Sequence, residues 1–139
     1  MSAAAEFVER FRAYWLAPSV EGLDALLAPD VRLVAPMTPT TTTLEAGKRA
    51  FAGVLALTPD LTGEVHRWGA TEDGVLIEFT LSGSAGGAQV SWRAVDHIVL
   101  RDDGLASERV SYFDSTPLIL TVLRNPRAWP AFLRSRLGR

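Results

Sequence analysis

The chain has 139 residues, 47% of them apolar, with a formal net charge of −2, two histidines and no cysteine. That size fits one domain with its own core, and the charge gives no general attraction to nucleic acid. Disulfide frameworks and thiolate metal sites are excluded, His66 and His97 alone make a dedicated metal site unfavourable, and no apolar run approaches the roughly 20 residues that cross a bilayer.

The opening MSAAAEFVERF lacks a basic region followed by a long apolar run, so it reads as structure and the protein as cytoplasmic. From Ala4 to Leu16, Phe7, Val8, Phe11, Tyr14 and Trp15 recur at helical spacing, which predicts an amphipathic first helix. Pro18-Ser19 breaks it, and Ser19 can cap a second helix running through Leu27. Ala28-Pro29-Asp30 should end that helix, and VRLVAP then forms a short strand closed by Pro36. Met37 to Thr43 reads as a loop. Thr42 and Glu45 have capping-box spacing for a third helix from about Leu44 to Leu57.

Past Pro59-Asp60 the pattern is strand-like. Leu61 to Ala70, Gly74 to Ser82, Gln89 to Arg101 and Leu105 to Phe113 are separated by turn signals at Glu72-Asp73-Gly74, Gly83 to Gly87 and Asp102-Asp103-Gly104. Four such strands predict an antiparallel meander. Ser115 or Thr116 can then cap a helix with Pro117 in its first turn, and Asn125-Pro126 and Pro130 divide the tail into two short helices. Arg124, Arg127, Arg134, Arg136 and Arg139 make the tail basic, which reads as a solvated helix face. The sum is an α+β domain whose curved sheet wraps a helical layer and leaves a cone-shaped cavity where the cover is incomplete.

One acid interrupts an apolar row. On the third strand of the meander Val90, Trp92, Ala94, Asp96, Ile98 and Leu100 point one way, and His97 points the other. Asp96 therefore faces the core, where a carboxylate must be neutral, paired or beside a wet cavity. On the last strand Arg109, Ser111 and Phe113 share one face and Glu108, Val110 and Tyr112 the other. Glu78 alternates with Val75, Ile77 and Phe79 and should point outward. The facing of His66 is left open by its strand, and if it meets the cavity it is the best general base by intrinsic pKa.

The segments FVERFRAYW, EGLDALLAPDVRLVAP and VDHIVLRDDG followed by SYFD resemble the SnoaL-like and ketosteroid-isomerase-like branch of the nuclear transport factor 2-like superfamily, in order from Phe7 to Asp114. The resemblance implies a cone-shaped α+β barrel with a mostly antiparallel sheet around N-terminal helices and short C-terminal helices, a cavity for a small hydrophobic molecule, and a homodimer through the outer sheet face. It also assigns Arg109, Ser111 and Phe113 to the cavity, one strand from Asp96. Ketosteroid isomerases need an Asp base, an oxyanion Tyr and a protonated Asp. By the resemblance these fall on Ala35, Phe11 and Asp96, so only the last survives. The acid that limonene-epoxide hydrolases carry before the YFD triplet is Ser111 here, which disfavours that chemistry too.

Fold alone does not choose among the activities this superfamily hosts. The leading expectation is a cofactor-independent acid/base enzyme, of isomerase, cyclase or lyase type, for a largely apolar, polyketide- or terpenoid-like carbonyl compound. Asp96, Arg109 and His66 are the candidate catalytic residues, with Phe11, Tyr14, Trp92, Ser111 and Phe113 as candidate pocket wall. The alternative is a non-catalytic module that binds a hydrophobic ligand or dimerises, in which Asp96 and Arg109 merely neutralise each other.

Overall fold

A computed structural model describes residues 1–137 of the chain. The apolar spacing of the first segment becomes α1 (Ala3–Leu16), whose buried face carries Phe7, Val8, Phe11 and Trp15. Ser2 caps it, its side-chain oxygen accepting the Ala5 amide at 3.1 Å. The expected second helix is only a 3₁₀ segment, Glu21–Ala25, although Ser19 does cap it by accepting the Gly22 amide at 3.0 Å.

The first strand starts earlier than the sequence suggests, as β1 (Leu27–Val34). Ala28-Pro29-Asp30 lies inside it. Proline cannot donate to a ladder, and the chain accommodates Pro29 by an irregular register between the Leu27–Ala106 and Arg32–Glu108 pairs. The loop then leads into α2 (Leu44–Leu57). Its cap is Thr43, whose hydroxyl accepts the Ala46 amide at 3.1 Å, and not Thr42 as the capping-box spacing implied.

The meander forms as expected: β2 (Thr62–Ala70), β3 (Gly74–Ala85), β4 (Ala88–Leu100) and β5 (Ala106–Phe113). Its strands pair antiparallel, and β1 adds to β5 in parallel, giving the order β1-β5-β4-β3-β2. β3 runs past the expected turn at Gly83, because Asp60 takes the Ser84 amide and hydroxyl, both at 2.8 Å, and holds that stretch extended. The reversal is left to Gly86 and Gly87, with φ of 58° and 88°, a pair of positive values that glycine adopts freely and that suits a two-residue hairpin.

Alternation along β3 and β4 makes two unlike faces. Val75, Ile77, Phe79, Trp92, Ala94, Asp96 and Ile98 are buried toward the helices, with the Phe11 ring edge-on to Phe79 at 5.1 Å. The outer face carries Glu78 between Arg67 and Arg93, at 3.4 and 3.8 Å, and His97 at 3.6 Å from Asp73. Exposed Leu76 and Tyr112 share this outer surface.

The tail divides into α3 (Thr116–Arg124) and α4 (Trp129–Leu137), bridged by a 3₁₀ turn at Pro126–Ala128. The side chain that closes the α3 amino end is Asp114, which accepts the Thr116 amide at 2.9 Å, in place of Ser115 or Thr116. Hydrogen bonds from the Thr116 amide and side chain favour the charged form and hold the Asp114 carboxyl below its usual range. The Trp129 indole donates to the Val122 carbonyl at 2.7 Å and ties α4 to α3. Arg139 and the side chain of Arg136 lie outside the described residues. Among the described residues no helix is long and apolar enough to cross a membrane.

Candidate functional site

A cavity of about 150 Å³ lies between α2, the loop that follows β1, and the inner face of β4 and β5. A volume of that order holds one aromatic ring. Ala50, Phe51 and Val54 of α2 form one wall, Leu33 to Pro39 another, and Leu118 of α3 closes part of it. Gly47 is the close-approach point. A β-carbon there would stand 2.5 Å from Leu33 Cδ1, so glycine lets α2 pack tightly against β1.

From the sheet come Trp92, Arg109, Ser111 and Phe113, all four of which line the cavity. The Trp92 and Phe113 rings lie 6.1 Å apart and floor it together. Parity on β5 had grouped Arg109, Ser111 and Phe113, and the register puts Ser111 directly opposite Asp96. Asp96 is fully buried, and Arg109 Nε donates to its Oδ2 at 2.5 Å. Its other oxygen, Oδ1, has no hydrogen-bond partner among the described residues.

Arg109 lines the cavity, as the resemblance implied, and Asp96 stands behind it and is not itself a lining residue. Among the described lining residues Arg109 is the only ionisable one. The site is thus a largely apolar hollow with one guanidinium, whose Nε is spent on Asp96. Burying such a pair is costly unless each charge answers the other, which at this distance they do.

Three expected site residues stand elsewhere. Phe11 is 2% exposed and belongs to the core, where its ring meets Phe7, Trp15 and Phe79. Tyr14 does not line the cavity: its hydroxyl donates to the Ser19 carbonyl at 2.7 Å, and burial pushes the phenol well above its ordinary range, against opposing effects of Arg109 and that hydrogen bond. His66 is exposed on β2 with Nε2 2.6 Å from the Thr80 hydroxyl, away from the cavity. The register breaks between Val65 and Arg67, so simple alternation cannot give the facing of the residue between them.

Sequence reasoning had missed Trp15, which lines the cavity in place of Tyr14. It had also treated α2 only as cover. The available signal was the run of small residues, Gly47 and Ala50, preceding Phe51 on a helix already known to face the sheet. Among the described residues no cluster of His, Cys, Asp or Glu could hold a metal ion.

The chain belongs to the SnoaL-like domain family, whose pattern matches residues 8–108. Solved structures agree on a nuclear transport factor 2-like fold. A protein of that type from Burkholderia pseudomallei K96243 superposes with a TM-score of 0.78 at 18% identity, over 88% of this chain and 98% of that one. TerC, co-crystallised with polyporic acid, gives 0.77 at 20% identity over 88% and 99%. A protein with a ketosteroid isomerase-like fold from Catenulispora acidiphila DSM 44928, in complex with trimethylamine, gives 0.76 at 19% identity over 89% and 96%. Comparison with curated proteins returns no match.

Proposed function

We propose that the chain is a small-molecule acid/base enzyme of isomerase, cyclase or lyase type, acting on a largely apolar carbonyl compound in this cavity. The observation that carries the reading is a fully buried carboxylate held by an arginine that opens onto a largely apolar hollow, with one carboxylate oxygen unpaired among the described residues. Arg109 supplies a fixed positive charge where the carbonyl oxygen would gain negative charge as a neighbouring C–H is deprotonated. Asp96 is the carboxylate that accepts the proton, through one water or after the Arg109 side chain shifts, since catalytic contacts often tighten only with substrate bound. TerC, a structural neighbour co-crystallised with polyporic acid, lends support to a small organic ligand.

Hydrogen–deuterium exchange of small ketones such as acetophenone and cyclohexanone in D₂O, followed by NMR, tests this directly. The wild-type chain should accelerate exchange at the α-carbon, and Asp96→Asn should lower that rate about 100-fold or more. Equal rates for the two proteins would remove Asp96 from the chemistry. A second reading, a non-catalytic binding module, is favoured by the position of Asp96 behind Arg109. It predicts ketone binding with no exchange above the uncatalysed rate.

The outer sheet face supports a homodimer in this reading, because Leu76 and Tyr112 expose 43% and 60% of their surface beside half-buried Val95 and Val99. Sedimentation velocity should show a dimer that Tyr112→Arg shifts toward monomer. A wild-type monomer at high concentration would remove this part of the proposal.

A further inference from the structure

We propose that the indole N–H groups of Trp15 and Trp92 set the specificity of the cavity, selecting a neutral ring compound with hydrogen-bond acceptors over both a hydrocarbon of the same shape and a carboxylate. This rests on the reading of the cavity as a small-molecule site and narrows it to a ligand class.

Trp15 and Trp92 are 3% and 8% exposed, both line the cavity, and neither Nε1 has a hydrogen-bond partner among the described residues. A buried donor without a partner is destabilising, and native chains rarely leave one. This chain satisfies an indole where the indole is structural: Trp129 donates to the Val122 carbonyl at 2.7 Å. Two unpaired donors on side chains that line one small hollow therefore point to acceptors that a ligand brings as it settles there. Thr41, whose hydroxyl is also buried and unpartnered, lines the same hollow and adds a third polar group.

Charge decides between neutral and anionic ligands. Arg109, the one cation among the described lining residues, is already answered by Asp96. A carboxylate ligand would place a second negative group against a single positive one in a largely apolar enclosure, where uncompensated charge is most costly. A carbonyl oxygen satisfies the same donors without adding charge. The volume of about 150 Å³ limits the buried part to roughly one ring.

Three near-isosteric probes separate these features on the full chain: acetophenone, isopropylbenzene and benzoate, titrated by ¹H–¹⁵N NMR of the indole groups. Acetophenone should bind about 10-fold or more tighter than either of the others and move the Trp15 and Trp92 indole protons downfield, a shift isopropylbenzene does not cause. The double variant Trp15→Phe/Trp92→Phe should weaken acetophenone about 10-fold while leaving isopropylbenzene within about twofold, in line with the loss of neutral hydrogen bonds from intact rings. Equal wild-type affinity for acetophenone and isopropylbenzene overturns the inference while leaving the cavity a ligand site. Benzoate binding as tightly as acetophenone overturns the charge selection. If none of the three binds, the small-molecule reading falls, and the inference with it. The wild-type comparison needs no variant, so the test stands even where the double substitution impairs folding.

Discussion

Arg109→Met should destabilise the fold by about 3–5 kcal/mol at neutral pH, because it leaves the fully buried Asp96 carboxylate without its counter-ion. Methionine nearly replaces the volume, so the loss is electrostatic and not a cavity effect. Denaturant titration at neutral pH measures the loss. The double variant Asp96→Leu/Arg109→Met should recover most of the stability while losing ketone exchange, since a buried pair replaced by hydrophobic groups is commonly neutral or better. A single variant as stable as wild type at neutral pH would show that the pair is not buried in solution.

Phe11→Ala is the second large effect, at about 3–5 kcal/mol by loss of transfer energy together with the hole left behind. The ring is 2% exposed and packs on three aromatic neighbours, with Phe79 meeting it edge-on at an interplanar angle of 87°. It joins α1 to β3 and is not among the residues that line the cavity. Thermal and denaturant unfolding measure the loss. A pocket residue would behave differently, with weak ligand binding and near-normal stability, and that outcome would return Phe11 to the site.

The contrast between Phe11 and Asp96 shows what alternation and helical spacing can reveal. Period-two patterning on β4 is unbroken, so the inward facing of Asp96 was readable from the residues around it, as was the shared face of Arg109, Ser111 and Phe113 on β5. Helical spacing found the apolar face of α1 but could not rank the residues on it. A core aromatic and a cavity aromatic look alike in sequence, and the fold-back that ties the Tyr14 hydroxyl to the Ser19 carbonyl has no local signature. His66 was lost to a break in register, and the early start of β1 was hidden by Pro29, which reads as a terminator unless the parallel partner is known. The resemblance placed Arg109 at the cavity, but parity alone put Asp96 on the same inner face and could not show that it would stand behind the arginine.

The parallel pairing of β1 with β5 has a consequence for how recognition arises during folding. Leu33 and Arg109 are register partners, so the enclosure is assembled from opposite halves of the chain, with one wall on α2 and, among the described residues, its only charge on β5. Contacts so distant along the polypeptide form only once the entropy of closing a long loop has been met. Neither half of the polypeptide holds an intact binding surface, and any compound that occupies the finished one favours the native ensemble as a whole.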